Sequence, residues 1–257
     1  MIYDTHVHTR HSNDSQMNPE EALATASKRG LGLCITEHVD YEADVDRVCV
    51  ADTDKYFSEY TVYKPEGLLL GLEIGLTVNT RAIARQTASD PRLDFCIGSV
   101  HVCNGYDIFF PHFWEQSGTQ KDIMGSYLDY TVTVIDKCDF FDSLGHIDYP
   151  SRYCPFNEKD IKYGDFKALY KEIFTALLDK RKVLELNTGR IGCPSAEKNL
   201  FEIFEGYYNS GGRYVTLGSD AHHQDIIGKD FDIALQMVKN IGLKPVFYVQ
   251  RDMVCNE

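Results

Sequence analysis

Histidine and acid residues fall in three tight clusters far apart in the chain: Asp4-Thr5-His6-Val7-His8, Thr36-Glu37-His38-Val39-Asp40 and Gly218-Ser219-Asp220-Ala221-His222. Each follows a short run that reads as a β-strand. Three single residues repeat the setting: Glu73 after Leu70-Gly71-Leu72, His101 after Ile97-Gly98-Ser99-Val100, and His146 after Leu144-Gly145. Residues at i and i+2 share one face of a strand but not of a helix, so His6 and His8 on a strand can grip one ion together. Imidazole with carboxylate suits Zn²⁺, Mn²⁺ or Fe²⁺, and no cysteine joins the set. The chemistry to expect is that of a metal enzyme with its ligands at strand ends.

For these residues to meet, the strands must deliver them to one side of one sheet. Strand-like runs cover 2–7, 31–36, 68–73, 95–101, 141–145, 183–187 and 214–218, with a last short run at 245–249. Helical patterns lie between them. Asn18-Pro19-Glu20-Glu21 opens a helix that stops at Gly30; others are expected over 123–137, 166–180, 195–209 (with Ser195 as cap) and 230–239. The stretch 41–65 lacks periodicity and is expected as a loop or short helices over the site. Strand followed by helix, repeated, predicts an α/β fold with a parallel sheet, and at this length a closed or nearly closed barrel. Functional residues of such barrels sit at the carboxyl ends of the strands, where every residue above falls. A lone histidine there is more often structural than a ligand. Six of the nine histidines (6, 8, 38, 101, 146 and 222) on one predicted face call for a common cause.

Composition sets the outer limits. A chain of 257 residues, 43% hydrophobic and 12% aromatic, can bury one core of barrel size, and a single domain over 1–257 is the simpler expectation. The net charge is −13 and there is no run of Lys and Arg, which disfavours a nucleic-acid partner. Eight cysteines without a C-x-x-C pair read as reduced thiols. Neither a signal-peptide pattern nor an apolar run long enough to cross a bilayer is visible, so a soluble, cytoplasmic protein is expected.

Taken together and in order, Asp4-Thr5-His6-Val7-His8-Thr9, Thr36-Glu37-His38, Gly71-Leu72-Glu73, Gly98-Ser99-Val100-His101, Gly145-His146-Ile147-Asp148 and Gly218-Ser219-Asp220-Ala221-His222 resemble the motifs of the PHP (polymerase and histidinol phosphatase) superfamily. The resemblance implies a distorted seven-stranded, TIM-barrel-like (β/α) barrel holding three divalent metal ions. Carried over by position, His6, His8, Glu73 and Asp220 hold the first ion, and Glu73, His101 and His146 the second, with Glu73 bridging. His38, His222 and Asp14 hold the third; Asp14 stands six residues after His8, where many histidinol phosphatases carry histidine. An oxygen ligand there makes the site harder. Glu73, Asp220 and His222 are the expected catalytic residues. His11 is expected in the wall of the site, His112 at the surface, and His223 toward substrate or solvent. Asp4, Glu37, Asp40 and Asp148 are expected to orient ligating imidazoles, as metal-bound histidines usually require.

A bridged metal pair can produce a hydroxide near neutral pH and neutralise a transferring phosphoryl group. The implied reaction is attack of a metal-bound hydroxide on a small phosphomonoester, L-histidinol phosphate first among them, with nucleotides, sugar phosphates and phosphotyrosine as alternatives. Arg152 and Arg190 lie in segments that resemble those with which such phosphatases bind the substrate phosphate, and the guanidinium fork suits that role. A noncatalytic or nucleic-acid-linked PHP module is the other class to consider. Free-standing length, acidic charge and the intact ligand set favour the enzyme.

Overall fold

A computed structural model describes residues 1–42 and 49–255. Its strands are β1 (Tyr3–Val7), β2 (Gly32–Asp40), β3 (Cys49–Val50), β4 (Leu68–Gly75), β5 (Phe95–Ser99), β6 (Val102–Cys103), β7 (Tyr106–Asp107), β8 (Ser143–Leu144), β9 (Val183–Asn187), β10 (Tyr214–Gly218), β11 (Lys244–Val249) and β12 (Asp252–Cys255). Seven of them, the seven expected, pair in parallel in the order β1-β2-β4-β5-β8-β9-β10. The two ends of this run meet. Asp220 N donates to His6 O at 2.8 Å, His8 N donates to Ala221 O at 2.9 Å, and Val7 forms an isolated parallel bridge with Ala221. The ring is thus joined between β1 and β10 by a bridge just past the end of β10 rather than by a full ladder. Beyond β10 the sheet continues into β11, parallel to it, and β12, antiparallel.

The connecting helices are α1 (Pro19–Lys28), α2 (Thr53–Tyr60), α3 (Arg81–Ala88), α4 (Gln120–Lys137), α5 (Pro150–Tyr153), α6 (Lys167–Asp179), α7 (Pro194–Asn209) and α8 (Phe231–Ile241). Asn18 and Glu21 form a capping box at the start of α1, and Thr119 with Asp122 does the same for α4, which therefore begins three residues earlier than its apolar pattern. Helix α7 starts at Pro194, with Cys193 and not Ser195 in the cap position: proline preset for the first turn moved the start back by one residue. Helix α3 was not expected, since only Ala84 and Ala88 of its eight residues are buried and so small a stripe leaves little pattern. Of the stretch 41–65, residues 43–48 lie outside the described residues; α2 and a 3₁₀ segment at Thr61–Glu66 supply the expected short helices. Among the described residues no helix is long and apolar enough to cross a membrane.

Every residue of β2, β4 and β9 is buried, as befits parallel strands covered on both faces. Period two then sorts them. Leu33, Ile35, Leu70, Leu72, Leu184 and Leu186 belong to the large apolar cluster shared with the helices, whereas Cys34, Leu69, Phe95, Ile97 and Val183 form a second cluster with Val246 and Tyr248 of β11. Farther along the same strand faces come Thr36 and His38, Gly71 and Glu73, and Glu185 and Asn187. An apolar plug therefore occupies the amino-terminal part of this face and a polar layer the carboxyl-terminal part. Gly71 must be glycine, because a Cβ would collide with Thr36 and with the carbonyl of Phe95.

The amino-terminal side is fastened by the β11–β12 hairpin. Gln250 and Arg251 both take left-handed φ, 49° and 68°, as a two-residue turn of this hand requires. The strain is offset by anchors: Arg251 N donates to Asp94 O at 2.9 Å, and its guanidinium reaches Asp142 by Nε at 2.5 Å and Nη2 at 3.0 Å, Ala88 O at 2.7 Å and Phe140 O at 2.6 Å. Arg251→Ala strands the buried Asp142 carboxylate and should cost about 2–4 kcal/mol. Urea unfolding reads this; an unchanged midpoint would show that the hairpin holds nothing.

Candidate metal centre

Strand period and the turn after each strand bring all nine residues expected to bind metal to one end of the ring. His6 and His8 leave β1 on the same face. Asp220 follows β10 in a left-handed conformation, φ 56°, stabilised by its N–H bond to His6 O, which aims the carboxylate at the two imidazoles. His6 Nε2 lies 3.2 Å from Glu73 Oε2 and 3.4 Å from Asp220 Oδ1, and His8 Nε2 lies 3.4 and 3.2 Å from the same two oxygens. The other Glu73 oxygen, Oε1, is 3.2 Å from His101 Nε2, 2.8 Å from His146 Nε2, and accepts a 2.6 Å hydrogen bond from Ser99. At the rim Asp14 Oδ2 stands 3.4 Å from His38 Nε2 and 3.2 Å from His222 Nε2, and the His8 ring stacks on both of those imidazoles.

The donor atoms fit divalent cations better than they fit one another. His6 Nε2, His8 Nε2 and Glu73 Oε2 are buried together, yet none makes a hydrogen bond. With Asp220 Oδ1 they make four lone-pair atoms around one point, with no donor among them when each neutral imidazole carries its proton on Nδ1, and such a donor set suits a cation. His6, His8, Glu73 and Asp220 form one such group, Glu73, His101 and His146 a second, and His8, His38 and His222 a third.

Charge follows the same plan. Burial would raise Glu73, but His6, His101 and His38 hold it well below the usual carboxylate range. Burial opposes protonation of His6 while Glu185, Glu73 and Asp220 drive it well up; His101, against burial, is raised to about 9 by Asp40 and Glu73. His38 and His222 are also raised, each with Asp14 beside it, whereas His8 falls well below through burial and its two imidazole neighbours. In the metal-free protein, protons do the work of cations.

The supporting carboxylates divide. Asp40 accepts from His101 Nδ1 at 2.8 Å and so orients it directly. Glu37 acts through Ser12, whose hydroxyl bonds Glu37 at 2.5 Å and lies 3.3 Å from His8 Nδ1. Asp4 instead holds backbone, accepting from Ser219 N at 3.0 Å and Gly228 N at 2.7 Å, and Asp148 pairs with Arg190. Missed by the sequence patterns is Glu185 of β9, fully buried, 2.6 Å from His6 Nδ1 and 2.7 Å from His146 N. Its one available signal was strand alternation, which puts an acid on the inward face beside Asn187.

Of the two arginines, Arg152 reaches the cluster. Its Nη1 bonds Asp220 Oδ2, its Nη2 bonds Asn187 Oδ1 at 2.8 Å, and its buried Nε has no partner. Arg190 bonds Asp148 at 3.1 Å and Asp160 at 2.6 Å. Arg152, Tyr149 and Tyr153 border the cavity of about 40 Å³ through which the cluster opens. His11 stays outside, its Nε2 3.0 Å from Glu59 and its ring against Tyr60; His112 packs on Phe110, and His223 lines a neighbouring hollow with His222.

Comparison with known proteins agrees with this geometry. The PHP domain family matches residues 4–189. A probable histidinol-phosphatase of Clostridium acetobutylicum is 38% identical over 253 residues, 98% of this chain and 99% of that protein. The histidinol-phosphatase of Lactococcus lactis is 29% identical over 226 residues, 85% of this chain and 83% of its own length. Among solved structures, histidinol phosphate phosphatase from Lactococcus lactis, complexed with zinc, L-histidinol and phosphate, superposes with a TM-score of 0.92 at 27% identity and 98% coverage of both chains.

Because metal must displace the protons that His6, His38, His101 and His222 hold, binding of Zn²⁺ or Mn²⁺ to chelator-stripped protein should release protons at neutral pH. His101, raised to about 9, is protonated below that value, so apparent metal affinity should climb as pH rises from about 6.5 toward 9. Calorimetry in buffers of different ionisation enthalpy measures this. Proton-independent binding would show the imidazoles already neutral.

Proposed function

This chain belongs to the PHP domain family, and we propose that it is a metal-dependent phosphomonoesterase that converts L-histidinol phosphate to L-histidinol and phosphate. The observation that carries the reading is the convergence of unpaired imidazole and carboxylate donors on Glu73, with one guanidinium at their edge. The histidinol half of the substrate rests on the relatives and on the ligands of the similar structure. The unpaired thiols, five of them buried, support an intracellular setting.

Three ions are proposed. His6, His8, Glu73 and Asp220 would hold one, Glu73, His101 and His146 the second, and Asp14, His38 and His222 the third. Divalent ions bound there supply an activated water and neutralise charge on the phosphoryl oxygens. The chain's own part is position and charge. Glu73 divides its two oxygens between two groups of imidazoles and so sets their separation. Asp220 faces His6 and His8 with one oxygen and Arg152 with the other, which ties the phosphate cation to the ligand frame. Arg152 keeps its Nε–H free to donate to a phosphoryl oxygen. Arg190 is the second proposed phosphate contact, and in the free protein Asp148 and Asp160 hold its guanidinium. His222, partly exposed at the rim, completes the proposed catalytic set with Glu73 and Asp220.

Phosphate release from a panel of monoesters by metal-loaded protein tests the substrate. Histidinol phosphate should exceed nucleotides, sugar phosphates and phosphotyrosine peptides in kcat/KM; turnover of none, or of all alike, would sink the assignment. Arg152→Ala should lower kcat/KM about 10- to 1000-fold with metal content unchanged. Arg190→Ala should act in the same direction, and full activity in both variants would remove the arginines from the site. Asp14→Ala should lose one ion per chain by elemental analysis while the ions around Glu73 persist, because their ligands stand on other strands. Full metal content in that variant would show that Asp14 is no ligand.

A further inference from the structure

We propose that Glu185 is the positioning residue of the centre: one buried carboxylate fixes the tautomer of His6 and, through His146 and Asn187, holds both inner ligand groups and Arg152 in a single frame. The inference rests on the metal-phosphatase reading above, which assigns Glu185 no part. Its Oε1 lies 2.6 Å from His6 Nδ1. Its Oε2 accepts from the backbone N–H of His146 at 2.7 Å and from Asn187 Nδ2 at 3.2 Å. The opposite end of that amide, Asn187 Oδ1, accepts from Arg152 Nη2 at 2.8 Å and from Gly189 N at 2.9 Å. Gly218 leaves the carboxylate its room, since a Cβ there would fall on Glu185 Oε1 and on the His6 side chain.

The chemistry follows from donors and acceptors. A carboxylate can only accept, so His6 must present Nδ1–H to it, and a neutral imidazole then carries its lone pair on Nε2. That atom is the one that faces Glu73 and Asp220, buried and without a hydrogen bond. Asn187 is oriented likewise: its NH₂ is turned to Glu185, which leaves its carbonyl for the guanidinium. A ligand to each inner group and the phosphate arginine are therefore set by one side chain.

Glu185→Gln breaks this without changing shape. Its single carbonyl can serve His6 or His146, not both. With the carbonyl on His6, the amide N–H opposes the His146 N–H. With it on His146, the amide donates to His6 Nδ1 and moves the imidazole proton to Nε2, where ligation fails. We expect metal affinity about 10- to 100-fold weaker than in the parent, as loss of a ligand's supporting partner typically gives. Competition with a chromogenic chelator measures it, and Arg251→Ala separates this from a merely structural role, since that variant loosens the fold away from the centre and should keep parental metal affinity. Asn187→Leu should keep parental metal affinity while inorganic phosphate inhibits roughly 10-fold more weakly, because only the arginine is released. Should Glu185→Gln not fold, the ¹⁵N shifts of His6 in the zinc-loaded parent decide: a proton on Nδ1 with the metal on Nε2 upholds the proposal, and the reverse overturns it. Parental metal affinity in Glu185→Gln, or unchanged phosphate inhibition in Asn187→Leu, also overturns it. A parent that binds metal yet hydrolyses no monoester would instead fault the functional reading and leave the frame standing.

Discussion

Glu73 has no exposed surface, and five imidazole nitrogens stand within 3.4 Å of its two oxygens. A buried carboxylate is tolerable only where fixed positive charge or hydrogen bonds replace water. Much of the molecule serves that requirement. Five strands and the turns after them bring His6, His8, His38, His101, His146 and Asp220 to it, and Ser99 adds a hydroxyl donor. His6, His38 and His101 are raised toward their charged form by the same acid that they hold in its charged form. Neither side is stable at this depth without the other, or without cations that replace the protons.

The barrel makes the crowding possible because its strands differ in where they stop. β2 runs on to Asp40, farther than its apolar run suggests, so Glu37, His38 and Asp40 are strand residues: His38 and Asp40 share the inward face, and Glu37, on the other, grips Thr9 and Ser12. β5 stops at Ser99 and β8 at Leu144, and the turns after them carry His101 and His146 across the end of the ring. Glycine lets the layers close: Gly71 below Glu73 and Gly218 against Glu185 each admit a neighbour's side chain or backbone where a methyl group would not fit. Beneath the polar layer, Phe95 stacked on Tyr248 and the apolar residues around them belong to a sealed plug. Low dielectric there strengthens the attractions above it.

What the sequence made legible was the part of the site written as strand ends. A histidine or acid after an apolar run is visible because its type contrasts with what precedes it, and six such contrasts in order mark six of the seven strands and eight of the nine expected donors; β9 was legible only as a β-rich run, and Asp14 only through the resemblance. Glu185 escaped because it lies inside its strand, in Val183-Leu184-Glu185-Leu186-Asn187, where a period-two acid looks like an ordinary polar face. Arg251 escaped for a different reason. Its partners Asp142, Ala88 and Phe140 are remote in sequence, and nothing local distinguishes an arginine in a hairpin turn from a solvated one. The same limit applies to Arg190, whose position after β9 is local information while its pairing with Asp148 and Asp160 is not.

Arg152 and Arg190 pose a problem that net charge resolves. A phosphate monoester is an anion, and it must approach a centre containing the carboxylates of Asp14, Asp40, Glu73, Glu185 and Asp220, in a chain of net charge −13. Among the described residues Arg152 is the one permanent cation at the cluster, and Asp220 already engages it. Protonated imidazoles offset part of the deficit, but they offer no open position to a phosphoryl oxygen and are lost as pH rises. Three divalent ions would carry six positive charges against those five carboxylates, and with Arg152 the centre would turn from repelling a phosphate dianion to matching it. The acidity of the chain is thus compatible with phosphate chemistry at the centre only if the donors hold metal. That is why the unpaired nitrogens of His6 and His8 weigh more in the functional reading than either arginine.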